Sequence, residues 1–142
     1  MSFMNGEFCD TNVVVYAYDL TAGAKREQAV LLLERLWQAR NGVVSVQVLQ
    51  ELFVSLTGRL TPRMPTDRAR SVVADMATWQ VVEPTRGDVL EAINASERWQ
   101  VSFWDAMVLT TAKKAGATVL WSEDLNDRQS YDGTVVRNPF RV

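Results

Sequence analysis

The sequence alternates short runs of β-branched and apolar residues with longer segments in which apolar side chains recur every three or four positions. Such short runs predict strands, and the longer periodic segments predict amphipathic helices. The predicted strands cover residues 7–10, 43–46, 79–83, 118–121 and about 134–137. The predicted helices cover residues 13–18, 24–40, a segment ending at Gly58, 66–76, a segment capped by Thr85 and reaching Arg98, and 103–115. Strands that alternate with helices imply right-handed crossovers and a parallel sheet covered on both faces, so the predicted fold class is α/β.

The chain shows no internal repeat, low-complexity tract or Gly/Ser linker, and its 142 residues predict one domain over positions 1–142. No stretch approaches the roughly 20 apolar residues that a membrane-spanning helix needs. The first seven residues lack both the basic segment and the apolar segment of a secretory signal. We therefore expect a cytoplasmic protein without a membrane segment.

The absence of histidine excludes several classes of chemistry. Ser-His-Asp and Cys-His catalysis and histidine-ligated zinc all require an imidazole. The single cysteine, Cys9, cannot form an internal disulfide or a thiolate zinc cluster, and it fits a reducing compartment. Carboxylates, hydroxyls, lysines and arginines remain, so hydrolysis by this chain depends on a metal ion bound by oxygen ligands.

Two carboxylates lie at or shortly after the carboxyl ends of predicted strands. Asp10 ends the first strand and precedes Thr11-Asn12, and Asp124 follows the strand at 118–121 in a turn that also contains Glu123 and Asp127. Ligands of open α/β sheets gather at the carboxyl ends of strands. The structural alternatives are that Asp10 caps the following helix and that the later acids only form a polar turn. Spacing alone does not rank the three acids of the turn.

Two further carboxylates lie on predicted helices. Asp105 leads a stripe of buried apolar positions, although its spacing from Ser102 also fits a capping box. Glu51 lies on the polar side of its helix, and only its place one turn after a strand brings it near the same sheet edge. Four acids meeting there would repel one another by on the order of a few kcal/mol at an effective dielectric of about 20. Mg²⁺ or Mn²⁺ is the natural counter-charge.

Four segments together resemble a PIN domain of the kind found in VapC-type ribonuclease toxins of prokaryotic toxin–antitoxin pairs. The segments are Cys9-Asp10-Thr11-Asn12, Val48-Leu49-Gln50-Glu51-Leu52, Trp104-Asp105-Ala106 and Ser122-Glu123-Asp124-Leu125. The resemblance extends from about residue 8 to 140. It implies a three-layer α/β/α sandwich with a central, mainly parallel sheet.

The resemblance also implies a metal-dependent endoribonuclease that hydrolyses RNA phosphodiester bonds. Its catalytic acids are carried onto Asp10, Glu51, Asp105 and Asp124, with Asp10, Asp105 and Asp124 as ligands of Mg²⁺ or Mn²⁺. Its supporting residues are carried onto Asn12, Ser122 and Asp127. Because Glu123 and Asp124 are adjacent acids, the last acid of the motif has two candidates, of which Asp124 is favoured. A small antitoxin protein and a second copy of the chain are the implied partners.

Four arginines, opposed only by Asp67, form a locally basic segment in a chain of net charge −2. They are Arg59, Arg63, Arg68 and Arg70. They are candidates for contacts with RNA phosphates, and an ordinary solvated face is the alternative. Trp104, beside Asp105, is expected to pack beneath the site, with base stacking as its alternative role.

Two other functions compete with a nuclease. One is a non-catalytic interaction module that binds an antitoxin or RNA. The other is a phosphate-transferring enzyme of the haloacid dehalogenase type, which is disfavoured because Asn12 stands where a second acid belongs. A response-regulator receiver is disfavoured because no paired acids precede the strand that ends at Asp10.

Overall fold

The computed structural model describes residues 6–141. A central six-stranded sheet is flanked by helices, in the predicted α/β class. In chain order, the elements are β1 (Glu7–Cys9), α1 (Thr11–Tyr16), α2 (Ala24–Ala39), β2 (Gly42–Ser45), α3 (Val46–Gly58), α4 (Thr66–Met76), β3 (Gln80–Val82), α5 (Arg86–Trp99), α6 (Phe103–Lys114), β4 (Val119–Trp121), β5 (Ser130–Tyr131) and β6 (Thr134–Arg137).

The sheet has the strand order β3-β2-β1-β4-β6-β5, and all its pairings are parallel except that of β5 with β6. The chain builds outward from β1 to β2 and β3, and then returns to place β4 on the other side of β1. Right-handed crossovers on both sides of this reversal place the two groups of helices on opposite faces of the sheet. Ligands of open α/β sheets bind at such a reversal, outside the carboxyl ends of the strands. Asp10 and Ser122 directly follow β1 and β4 at this point.

The sheet is held by apolar side chains that are fully removed from solvent. Phe8, Val44 and Leu120 lie on three neighbouring strands and are each 0% exposed. Leu36 of α2 and Leu52 of α3 are also fully buried and belong to the same cluster. This packing fixes where the strands end and where α3 begins, and it therefore positions the polar residues at the sheet edge.

The structure differs from the sequence prediction at two places. The first helix begins at Thr11 rather than at residue 13, because Asp10 caps it. The segment before β6, in which no strand is predicted, contains β5, which forms a hairpin with β6. Asp132 and Gly133 between these strands adopt φ values of 53° and 95°. An Asp-Gly pair between two strands is the usual signal for such a turn, and it is present in the sequence.

Among the helices at residues 6–141, none combines the length and the apolar composition needed to cross a bilayer. The prediction that the first seven residues are not a secretory signal concerns mainly residues 1–5, which lie outside the described part of the chain.

Gly42 at the start of β2 has no room for a side chain. A Cβ atom at this position would lie 2.5 Å from Cε3 of Trp79, whose ring packs against Trp37. We therefore expect Gly42→Ala to lower the free energy of unfolding by about 1–3 kcal/mol. The matched control is Gly58→Ala in α3, where nothing lies within 4 Å of the added carbon. Alanine there is expected to add up to about 1 kcal/mol. Urea unfolding measures both changes, and equal effects of the two substitutions would contradict this packing.

Candidate functional site

Asp10 is a buried carboxylate at the end of the central strand. It is 5% exposed. Its Oδ1 accepts a hydrogen bond from the Thr11 N–H (2.8 Å), and its Oδ2 accepts one from the Ser122 hydroxyl (2.8 Å). Burial raises the pKa of Asp10 to about 6; the hydrogen bonds from Ser122 and Thr11 lower it, and the charges of Asp124 and Glu51 raise it. Asp10 is thus both the cap of α1 and an acid held close to other acids.

Asp124 lies in the loop after β4 and is oriented by residues of two other segments. Its Oδ2 accepts a hydrogen bond from the Asn12 side-chain amide (2.9 Å), and its backbone N–H donates to the Ser122 hydroxyl (3.2 Å). Ser122 therefore contacts both Asp10 and Asp124, and it is itself completely buried. The predicted supporting positions Asn12 and Ser122 lie where they hold two of the candidate acids.

The adjacent acid, Glu123, points away from this group. Its carboxylate accepts a hydrogen bond from the Tyr16 hydroxyl (2.8 Å) and forms an ion pair with Lys25. Burial acts to raise the pKa of Glu123, but the hydrogen bonds from Lys25 and Tyr16 outweigh it, so the pKa lies below its ordinary value. Of the two adjacent acids, Asp124 is therefore the one available to the site.

Asp127 stabilises the loop that follows β4. Its Oδ1 accepts a hydrogen bond from the Asn138 backbone N–H (2.8 Å), which ties the loop after β4 to the segment that follows β6. Asp127 does not line the depression that the other acids share.

Glu51 lies on α3, which begins at β2 and is capped by the Ser45 hydroxyl. The Thr11 hydroxyl donates to one oxygen of Glu51 (3.1 Å), and the Gln47 amide donates to the other (2.8 Å). Thr11 thus links the segment after β1 to α3. The sequence offered Thr11 only as a possible helix cap and did not predict that Thr11 or Gln47 would contact Glu51.

Asp105 lies in the first turn of α6. Its backbone N–H donates to the Ser102 hydroxyl (3.1 Å), so the predicted helix cap forms. Burial raises the pKa of Asp105; the Ser102 side chain lowers it, and the charges of Asp124 and Glu51 raise it. Asp105 therefore takes part in the cap of α6 and also lies near the other acids.

Two adjoining hollows, of about 460 and 490 Å³, bring these elements together. We call their combined surface the acidic hollow. Both parts are lined by Asp10, Gln50, Glu51, Arg59 and Asp124. Asp105 and Trp104 line the second part. All four candidate acids, which span 114 positions of the sequence from 10 to 124, therefore face one depression.

The donors around the acidic hollow suit a hydrated hard cation. Within residues 6–141, no three Asp, Glu, Cys or His side chains converge closely enough to hold an ion directly as they stand. The available donors are oxygen atoms, which Mg²⁺ and Mn²⁺ prefer, and Mg²⁺ keeps several waters that can bridge to more distant carboxylates. Burial, and after it the charges of Asp124 and Glu51, raises the pKa values of Asp10 and Asp105, and a bound cation would offset both effects.

The four arginines lie in different places. Only Arg59 lines the acidic hollow. Arg63 and Arg68 line a separate small hollow, and Arg70 lies exposed on α4. The expectation that Trp104 packs beneath the site is wrong, because this residue is 63% exposed.

The raised pKa of Asp10 predicts a pH-dependent cost to stability in metal-free protein. A carboxyl group with a folded-state pKa of about 6, above its ordinary 3.8, favours folding when protonated. That contribution is complete below about pH 4 and is lost as the pH rises through 6. At about 1.4 kcal/mol per pKa unit, the loss is up to about 3 kcal/mol.

We therefore expect Asp10→Asn to become more stable than wild type as the pH rises from about 4 to about 7, by up to about 3 kcal/mol. Urea unfolding in EDTA at several pH values measures this difference. A difference that does not change with pH would contradict the raised pKa.

Solved structures with the same fold include three from toxin–antitoxin systems. A toxin–antitoxin complex from Klebsiella pneumoniae has a TM-score of 0.72 at 18% identity, over 96% of this chain and 100% of that chain. VapC20 from Mycobacterium tuberculosis, a toxin described as cleaving the sarcin–ricin loop, has a TM-score of 0.64 at 21% identity, over 84% and 90%. DNA-bound VapBC from Salmonella typhimurium has a TM-score of 0.65 at 18% identity, over 95% and 98%.

Comparison with curated protein sequences gives no significant match. The model of the PIN domain family, however, matches residues 8–129, which include all four candidate acids and most of the chain. The strand order and the approach of these acids at one sheet edge are in keeping with that match. The chain belongs to the PIN domain family.

Proposed function

We propose that the protein is a metal-dependent endoribonuclease that hydrolyses RNA phosphodiester bonds. The observation that supports this most strongly is the buried carboxylate of Asp10, which faces a depression lined also by Glu51, Asp105 and Asp124. Burial of like charges at one place is costly, and it recurs where a divalent cation neutralises them. Membership of the PIN domain family supports the same activity.

The proposed ligands of Mg²⁺ or Mn²⁺ are Asp10, Asp105 and Asp124, with Glu51 binding directly or through water. When bound, the metal supplies an activated water and neutralises charge at the phosphorus and the leaving oxygen. The chain's own contribution is orientation. Ser122 fixes Asp10, and the Asn12 amide fixes Asp124.

Glu51 accepts one hydrogen bond on each carboxylate oxygen, from the Thr11 hydroxyl and from the Gln47 amide. These contacts hold its carboxylate in the lining of the acidic hollow. Glu51 is therefore proposed to bind the metal directly or to position a water beside it.

We further propose that the protein acts in the cytoplasm as the toxin of a toxin–antitoxin pair, with a small antitoxin protein and a second copy of itself as partners. The structures from Klebsiella pneumoniae and Salmonella typhimurium, which share the fold, support an antitoxin partner. The alternative, a non-catalytic PIN module that binds an antitoxin or RNA, predicts no metal-dependent cleavage and is separated from the nuclease by the next experiment.

Purified wild-type protein is expected to cleave single-stranded RNA with Mg²⁺ or Mn²⁺ and not with EDTA. Asp10→Asn and Asp105→Asn are each expected to lower the cleavage rate by at least about 100-fold, because each removes a charged ligand. The matched control is Glu123→Gln, whose carboxylate is already paired with Lys25; it is expected to stay within about threefold of wild type. Wild-type rates in the two aspartate variants would contradict the proposed ligands.

Metal binding is also expected to raise the melting temperature. A ligand at 100 times its Kd stabilises the folded state by about 2.7 kcal/mol, which for a chain of this size is a rise of roughly 5–10 °C. Asp10→Asn should lose this Mn²⁺-dependent rise and Glu123→Gln should keep it. Equal rises in wild type and Asp10→Asn, measured by thermal unfolding, would place the metal elsewhere.

A further inference from the structure

Trp104 presents a large aromatic surface beside a proposed metal ligand. It is 63% exposed, which makes it the most exposed tryptophan or phenylalanine within residues 6–141. Its ring meets that of Phe103 nearly edge-to-face, with centroids 5.1 Å apart and planes at 72°. Such a contact stabilises this orientation of the indole. Trp104 also lines the part of the acidic hollow that contains Asp105.

Arg59 contributes the positive charge of the same depression. Among the residues that line either part of the acidic hollow, it is the only lysine or arginine. It follows directly after α3, and within residues 6–141 its guanidinium forms no ion pair, although four carboxylates line the same surface. An arginine without a carboxylate partner beside a phosphodiester-cleaving site is free to bind a phosphate.

We propose that Trp104 and Arg59 form a nucleotide clamp, in which the indole stacks on one base next to the scissile phosphate and the guanidinium binds a phosphate of the same strand. This inference rests on the proposed nuclease function and adds two residues that position its substrate. A base within a duplex has both faces covered by its neighbours, so stacking on Trp104 engages an unpaired nucleotide.

The charge pattern favours RNA over a protein as the occupant of this surface. An apolar protein contact at Trp104 would bury four carboxylates and an unpaired arginine at its border, at a cost in desolvation. A nucleotide instead offers an aromatic face to Trp104 and a phosphate to Arg59, and its strand carries the scissile phosphate toward the proposed metal ligands. Stacking of a base on an aromatic side chain is worth about 1–3 kcal/mol, so each base held in this way matters to the rate.

The decisive test is a double-mutant cycle, in which one change removes the Trp104 side chain and the other removes a base of the RNA. The substrate is an oligonucleotide of about 12 nucleotides that wild type cleaves, together with versions carrying an abasic ribose at each position flanking the cut. Trp104→Ala is expected to lower kcat/KM on intact RNA by roughly 5- to 100-fold, and Trp104→Phe to retain most of the activity. On the RNA whose stacking base is missing, wild type and Trp104→Ala are expected to be equally slow.

Leu31→Ala on α2 is the control for loss of an exposed apolar side chain, since Leu31 is 66% exposed and lies outside the acidic hollow; it should leave both rates unchanged. An equal loss in Trp104→Ala on intact and on every abasic RNA would overturn the stacking role. If that equal loss is accompanied by a change from dimer to monomer in size-exclusion chromatography, the surface of Trp104 is a contact between copies of the chain and the proposal is likewise overturned.

Arg59 is tested by the salt dependence of kcat/KM. Arg59→Ala is expected to reduce the slope of log(kcat/KM) against log[salt] by about one, as removal of one phosphate contact does. The matched control is Arg86→Ala at the start of α5, an exposed arginine outside the acidic hollow, with an unchanged slope. Equal slopes for wild type and Arg59→Ala would remove Arg59 from the clamp. A wild type that cleaves no RNA with any divalent metal contradicts the nuclease itself, and is thereby distinct from an active wild type whose Trp104 and Arg59 variants are unchanged.

Discussion

The carboxylate of Asp10 is almost completely removed from solvent at the end of β1, where hydrogen bonds from Thr11 and Ser122 recover only part of the cost of its burial. Buried carboxylates with strongly shifted pKa values cluster at functional sites. The nearby charges of Glu51 and Asp124 add to the cost rather than relieve it. Positive charge brought to this place would offset that cost, and a hard divalent cation fits the oxygen donors.

The sheet topology makes this arrangement possible. β1 lies between β2 and β4, all parallel, so Asp10, the start of α3 and the loop after β4 meet at one edge of the sheet. Glu51 reaches this edge from α3, and its contact with Thr11 joins the two segments. Hydrogen bonds between small polar side chains and the acids hold these segments together. Ser122 bonds to Asp10 and to the backbone of Asp124.

The local features of the sequence are sufficient to predict most elements and the class of the fold. Helical and strand periodicities are local, which is why α4 and the cap of α6 at Ser102 are found where the spacing predicts them. The strand order does not follow from local patterns, because the alternation of strands and helices does not show on which side of β1 the later strands are added. The hairpin of β5 and β6 had a usable signal in Asp132-Gly133, but β5 itself is only two residues long.

The candidate site, like the fold, is only partly predictable from the local sequence. Asp10 and Asp105 stand out from the sequence because each interrupts an apolar pattern, whereas the choice between Glu123 and Asp124 depends on residues far along the chain. The Glu123 carboxylate is hydrogen-bonded by Tyr16 and Lys25, which are 107 and 98 positions away in the sequence. The exposure of Trp104 likewise results from how α6 sits against its neighbours, and its residue type alone favours burial.

The central claim is that Asp10, Asp105 and Asp124 share one divalent cation. Anomalous X-ray diffraction from crystals grown with Mn²⁺ tests it most directly, because the anomalous signal locates the ion independently of any assumption about its ligands. The account predicts a peak within the acidic hollow, at ligand or water-bridged distance from these three carboxylates. A peak at another surface, or an empty hollow at a Mn²⁺ concentration that supports RNA cleavage, would contradict it.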